Sequence, residues 1–422
     1  MEYLKDLSGV FPKNTGYFYG YPRGWCAESK FLNNATTSAE ELVAARPLIC
    51  AGGNIDIVVF ARTVADNVLN LLQDELGTEI TQRRIVLPST IDIHLINDDR
   101  NKQIMKALQN STRDGALVMA QPYISPEMEK KYLINPQISA WANDKDNIRN
   151  FVPEQYRIPE LARAQSGANF KSMDADKFTY PCVIKLSASS GGDGVRICKS
   201  AADFKAAQET FASYDCPILV LKFIETVKEV GAKFAIYKEP IPRFARIGTT
   251  KDFSSHKGDW VGSLVGKNIE PTVTEEIYKV LEESVLPKLH AQGWYGVGEG
   301  GVLIDKDGRF YFSDFNCRIT GDMPQTFQMN QGLFPDRQLM VFNGIRSGNL
   351  QDLEKAIKTS SRRGDKNQIL NLVAAAEYDK DVKIHGGVLF DQTETLAENI
   401  IKLEKLGIQS ALFERLREEK NL

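Results

Sequence analysis

Asp314, Asn316 and Arg318 stand at alternate positions of Phe310-Tyr311-Phe312-Ser313-Asp314-Phe315-Asn316-Cys317-Arg318. A strand there turns all three side chains to one face. A carboxylate and an amide oxygen side by side suit a magnesium ion, and a guanidinium suits phosphate oxygens. Upstream, the apolar run Pro181-Cys182-Val183-Ile184-Lys185 ends in lysine and enters Leu186-Ser187-Ala188-Ser189-Ser190-Gly191-Gly192-Asp193-Gly194-Val195. Glycines let backbone N–H groups approach a phosphate closely. Lys185 with Ser189, Ser190, Gly191, Gly192 and Gly194 is therefore expected to cradle a triphosphate. The lysine precedes the glycines, so the order is not that of a P-loop. Val195-Arg196-Ile197-Cys198 reads as a returning strand, which makes the loop a hairpin able to act as a phosphate lid.

The stretch between these motifs supplies other candidates. Pro217 to Glu225 reads as an apolar strand leaving into a linker, and Leu221, Lys222, Phe223 and Ile224 can offer adenine an apolar slot with backbone hydrogen bonds. Glu229 either accepts from ribose hydroxyls or is a solvated loop carboxylate. Arg246, in Pro242-Arg243-Phe244-Ala245-Arg246-Ile247-Gly248, could grip an amino-acid carboxylate bidentately, against the competing reading of a surface arginine on an edge strand. His256, in the polar Ser254 to Gly258 loop, is either a base between two substrate segments or an ordinary loop histidine.

These groups need strands to aim them. Ile55 to Phe60, Arg84 to Leu87 and Ala116 to Met119 read as strands, while Thr63 to Leu76 and Asn101 to Gln109 read as helices. Alternation of the two predicts a parallel α/β sheet. The aromatic, glycine-rich run Gly16 to Trp25 reads as a packed loop rather than a binding surface. Pro136 to Phe151 reads as a turn and a polar helix. Lys233 to Tyr237, Val302 to Ile304 and Arg309 to Phe315 read as strands, and Thr274 to Leu289 as a helix. After Pro324 the pattern reads as mostly helical to about Gly348. Strands at Ile369 to Glu377 and Val388 to Asp391 follow, then a charged helix from Glu394 to Lys405.

Composition narrows the class. The chain has 422 residues, 42% hydrophobic and 25% charged, with a net charge of −3. That length suits two or three domains, and the slight acidity argues against nucleic-acid or membrane-surface partners. No segment has the roughly 18 uncharged apolar residues of a membrane span, and Met1-Glu2-Tyr3-Leu4-Lys5-Asp6 lacks a signal peptide's apolar stretch, so a cytoplasmic location is expected. The six cysteines form no CxxC pair and the four histidines show no HExxH spacing. Buried thiols, not a zinc site or a nucleophile, are the expectation.

Taken in order, these parts resemble the ATP-grasp superfamily over about residues 140–325, in places close to its biotin carboxylase branch. The resemblance implies an N-terminal α/β domain (1–140), a grasp N-lobe with the glycine lid (141–230), a C-lobe with the metal site (231–330) and an α/β C-terminal extension packing on the grasp (331–422). It implies that Lys145, in Asn143-Asp144-Lys145, contacts phosphate, and that Asp322, in Asp314-x-Asn316-x-Arg318-Ile319-x-x-Asp322-x-Pro324, orients or deprotonates a nucleophile. The first metal carboxylate of the family falls in register on Gly301. Glu299, two residues earlier on the same strand face, is the substitute, with Asp305 as competitor. ATP and two magnesium ions are the implied cofactors. An amino-acid-type carboxylate would be activated as an acylphosphate, held by Arg318, and passed to an amine or a carrier-protein thiol with release of ADP and phosphate. The ending Asn316 to Gly321 is similar to peptide ligases of natural-product pathways and to the butirosin-pathway ligase that loads glutamate onto an acyl carrier protein, which implies specialised biosynthesis. Many relatives form homodimers. A phosphotransferase and a nucleotide-binding protein without turnover are the alternatives.

Overall fold

A computed structural model describes residues 3–18, 37–87, 106, 117–119, 132–189, 192, 194–256, 258–266, 269, 271–360, 368–378 and 380–419. Strands β1 (Thr15–Phe18), β2 (Ile55–Phe60), β3 (Arg84–Leu87) and β4 (Leu117–Met119) form a parallel sheet in the order β3-β2-β1-β4. The unbroken apolar run of β2 fits a strand covered on both faces. Its Ile55, Ile57, Val58 and Val59 are fully buried. The expected helix at Thr63 to Leu76 is present as consecutive helical turns from Ala61 to Glu75. The start of the aromatic run differs from expectation. Gly16 to Phe18 belong to β1, between β2 and β4, with Tyr17 buried. The rest of that run, and the expected helix at Asn101 to Gln109 apart from Lys106, lie outside the described residues.

The second sheet is antiparallel: β5 (Glu160–Ala164), β6 (Cys182–Leu186), β7 (Val195–Cys198) and β8 (Ile218–Lys222), ordered β5-β8-β6-β7. Its inward residues Cys182, Ile184, Leu186, Ile218 and Val220 pack on Phe170, Phe204 and Phe211 from the helices Gly167–Lys171 and Ala201–Phe211. Alternation therefore sends Val183, Lys185, Leu219 and Leu221 to the other face, toward the second lobe.

That lobe is a nine-stranded antiparallel sheet. It holds β9 (Thr226–Ile236), β10 (Phe244–Ser254), β11 (Trp260–Val265), β12 (Gly296–Asp305), β13 (Phe310–Asn316), β14 (Gln338–Ser347), β15 (Leu370–Tyr378), β16 (Asp381–Phe390) and β17 (Ile408–Gln409). The order is β13-β12-β9-β10-β11-β14-β16-β15, with β17 beside β14. The helical reading to Gly348 is corrected here. A helix covers only Met323–Asn330, and the chain then forms β14, paired to β11 and β16. Leu339 to Phe342 are buried throughout, and such a short continuous apolar run fits a strand covered on both faces as well as a buried helix. The expected later elements are present as β15, the end of β16, and the helix Thr393–Lys405. Among the described residues no helix is long and apolar enough to cross a membrane, and Cys50, Cys182, Cys198, Cys216 and Cys317 are buried free thiols.

Candidate active site

Strand register assembles the site from separated segments. On β13, β12 and β9 the rows run Asn316–Glu299–Lys233 and Asp314–Gly301–Gly231, and on β10 Gly248 lies opposite Lys233, Thr250 opposite Gly231 and Asp252 opposite Glu229. Directly opposed residues share a face. One surface of the sheet thus collects Asp314, Asn316, Glu299, Lys233, Thr250, Asp252 and Glu229, and the smaller lobe faces it.

The two lobes meet at Lys185. Its Nζ donates to the Ser313 carbonyl at 2.8 Å, next to Asp314. Burial pulls the Lys185 ammonium below its usual range, while the charges of Asp314 and Glu229 oppose that shift. Lys145 is also buried, and its Nζ donates to the Ser189 carbonyl and lies 3.3 Å from Ser189 Oγ. Lid and lysine are therefore joined. At the turn, Gly192 has φ +92°, and a Cβ there would sit 2.7 Å from both Asp259 Cα and the Gly258 carbonyl. The lid thus rests on the β10–β11 loop, and only glycine permits the approach. Gly194 packs as closely on Ser189. Ser190 and Gly191 lie outside the described residues.

A cavity of about 510 Å³ opens between the lobes beside these lysines, lined by Lys145, Lys185, Leu219 and Leu221 on one side and Tyr311 and Ser313 on the other. Lys222 ends β8 and is exposed, and Phe223 and Ile224, the latter buried, begin the crossing to β9. Glu229 follows on the site face. Burial raises its carboxyl, and the Ser254 hydroxyl, which donates to Oε2 at 2.6 Å, opposes the shift.

Beyond Gly301 lies a buried ionic cluster that sequence patterning did not disclose. Lys233 Nζ is 2.7 Å from Thr250 Oγ1, 2.9 Å from Glu299 Oε2 and 3.1 Å from Asp322 Oδ2. Thr320 Oγ1 lies 2.7 Å from the same Glu299 oxygen and 3.0 Å from Asp322 Oδ1. Thr250 Oγ1, Ser263 Oγ and Trp260 Nε1 extend the network to Asp252. Burial would lower the Lys233 ammonium, but Asp322, Glu299 and Asp252 raise it above its usual range. Burial would likewise raise Asp322, but Lys233 and its hydroxyl donors hold that carboxyl below the usual range. Asp322 is thus a weak base, suited to orienting a group. Asp252 is raised well above the usual range by burial and by the Asp322 and Glu299 charges. A lone lysine within the apolar run Val230 to Ile236 was the available signal.

Several expected contacts differ. Arg246 registers with Phe234, not with Lys233, because a bulge between Arg246 and Gly248 shifts the pairing. Its guanidinium lies on the opposite face, bonded to Glu275 at 2.8 Å and Glu282 at 2.7 Å and stacked over Tyr278. That fork is already filled by carboxylates. His256 is 77% exposed and sits 3.0 Å from Glu418, as a surface loop residue does. Asp305 accepts from the Asp307 and Arg309 amides and from the Arg309 side chain, so it closes the β12–β13 turn and is no metal competitor. Arg318 has a neighbour that went unrecognised: Asn143 Oδ1 accepts from Arg318 at 2.7 Å and from the Cys317 amide at 3.1 Å. Tyr17 of β1 accepts from the Ile319 amide at 3.3 Å, tying the N-terminal sheet to the same loop.

Asp314 and Asn316 fit a magnesium ion. Both offer hard oxygen donors on one face, and a Cβ on Gly301 would lie 2.3 Å from Asp314 Oδ1, so glycine there leaves the carboxylate its room. Glu299 fits a second ion less well, since one oxygen already accepts from Lys233 and contacts Thr320. Among the described residues no group of three or more histidine, cysteine or acidic side chains is arranged to hold a metal without help from a ligand.

Residues 163–316 match the family model described as L-aspartate–L-methionine ligase, ATP grasp. An ADP complex of N5-carboxyaminoimidazole ribonucleotide synthetase superposes with a TM-score of 0.57 at 14% identity, covering 94% of this chain and 97% of that one. The biotin carboxylase domain of Hydrogenobacter thermophilus 2-oxoglutarate carboxylase, solved as a dimer with MgADP, ADP and bicarbonate, gives 0.57 at 14% identity, covering 94% and 91%. The fold is that of the ATP-grasp enzymes. ATP-grasp relatives also match in sequence. Biotin carboxylase 1 of Populus trichocarpa is 24% identical over 176 residues, 40% of this chain and 32% of that protein. Phosphoribosylamine–glycine ligase of Clostridium acetobutylicum is 29% identical over 165 residues, 36% of this chain and 38% of that protein. The chain thus spans about a third of the length of these curated relatives.

Proposed function

We propose that the protein is an ATP-dependent, ADP-forming ligase that activates an amino-acid carboxylate and joins it to an amine. The observation that carries this reading is the cross-lobe contact at Lys185, which sets a buried ammonium beside Asp314 under a lid tied to a second lysine. The family match over residues 163–316 names an amino-acid ligase and supports the amine acceptor.

Each residue then has a defined task. Lys145, Lys185 and the lid amides, Ser190 and Gly191 among them, hold the β- and γ-phosphates and bear the charge that develops on the transferred group. Leu219 and Leu221, with the Phe223–Ile224 crossing, face the base, and Glu229 accepts from the ribose. A magnesium ion held by Asp314 and Asn316 supplies charge neutralisation on the phosphate oxygens when bound. A carboxylate oxygen attacks the γ-phosphorus as the bond to ADP breaks. Arg318, braced by Asn143, grips the acylphosphate. The amine then attacks its carbonyl carbon and phosphate departs, while Asp322 orients the incoming nitrogen. Specialised biosynthesis is the setting that suits such a ligase.

Assay of ADP release with L-aspartate and L-methionine, within a screen of amino-acid pairs, tests the reading. Stimulation that needs both partners, with hydroxylamine intercepting the first as a hydroxamate, is the expected result. A carrier-protein thiol in place of the amine tests the thioester route. ADP formed with no hydroxamate and no coupled product would instead mark a phosphotransferase.

A further inference from the structure

The Lys233 ammonium is 0% exposed and has three acceptors for its three hydrogens: Thr250, Glu299 and Asp322. No donor remains for a substrate, so the group serves neither as an acid nor as a nucleophile. Its effect is to place a fixed positive charge against Glu299. That carboxylate lies in the row next to Asp314 and is the acid available for a second ion once Gly301 leaves its own position without a ligand. Out of water the field of the ammonium on Glu299 is little screened, although the cost of desolvating both groups offsets much of the attraction. Thr320 fills the remaining direction at the same oxygen.

We propose that Lys233 is a built-in cation of the nucleotide site. It neutralises Glu299, which would otherwise recruit a second divalent ion, and nucleotide binds with one ion, held by Asp314 and Asn316. This rests on the nucleotide reading above.

The test counts bound Mn2+ per chain by electron paramagnetic resonance at saturating AMP-PNP. One ion is expected in the unaltered protein. Glu299→Gln should leave the count at one, with ion affinity changed by no more than about threefold. Lys233→Met, if it folds, should free Glu299 and Asp322 and raise the count to two. If it does not fold, Glu299→Gln decides alone. Two ions in the unaltered protein, one of them lost in Glu299→Gln, would overturn the proposal while leaving the nucleotide reading intact. Failure of AMP-PNP to bind at all would overturn that reading and the proposal with it.

Discussion

Lys185 shows how one residue serves two lobes. It leaves the smaller sheet on the face away from Phe170, Phe204 and Phe211 and ends on the Ser313 carbonyl of the larger one. Keeping an ammonium there costs desolvation, which lowers its pKa, and nucleotide phosphates would return the lost attraction. Lys185→Met keeps the length of the side chain and removes the charge. ADP affinity should fall at least about tenfold by calorimetry while the thermal midpoint holds or rises, since a desolvated charge contributes little to folding. Unchanged affinity would take the lysine out of the phosphate site. Lys185, Asp314 and Asn316 were legible in sequence because each sits in a short segment whose alternation fixes its face. Lys233 was not, because its partners come from β10, β12 and the loop after β13, and no local spacing records that meeting. Arg246 misled for a different reason. Its residue type suits a carboxylate, but the bulge between Arg246 and Gly248, which no local spacing records, turns it to the face away from the site.

The glycine hairpin is the element on which nucleotide binding is predicted to depend most. It was readable from the glycines and the returning strand, but its resting place on the β10–β11 loop was not, since Gly192 and Gly258 stand 66 positions apart in the chain. Gly192→Ala adds a Cβ against the Gly258–Asp259 backbone and at a positive φ, so the lid should no longer settle there. Nucleotide dissociation constants should rise about tenfold with a thermal midpoint within a few degrees of the parent, because the turn lies outside the core. Equal affinity in the two proteins would show that the closed lid does not hold nucleotide. The same scale explains β14. Leu339 to Phe342 carry no period to distinguish strand from helix, and only the neighbours β11 and β16 settle the matter.

Across the whole molecule, Arg46 from the region before the grasp and His385 from the region after it are linked, through Asn343, to the loop that follows β13. Arg46 donates to Asn343 at 3.1 Å, His385 Nδ1 lies 2.8 Å from that same Asn343 oxygen, and His385 Nε2 lies 2.7 Å from the Gly321 carbonyl, beside Asp322. Burial, and the nearby Arg46 charge, hold the His385 pKa well below its ordinary value, with the Gly321 bond opposing. Oxygens at both ring nitrogens favour the imidazolium and burial opposes it. With burial dominant, the unfolded chain takes up a proton before the folded one as pH falls through about 6.5, and stability should drop by up to about 1.4 kcal/mol per pH unit. His385→Gln should flatten that acid slope in urea titrations between pH 7.5 and 5.5; an identical slope would mean the imidazole is protonated in place. The central question is whether a substrate carboxylate attacks ATP. The direct measurement is 31P NMR of phosphate released with an amino acid carrying 18O in its carboxylate, L-aspartate first, in the presence of its amine partner. Transfer of one 18O to phosphate is the predicted result. Phosphate released without the label, under turnover that depends on the amino acid, would contradict the acylphosphate route.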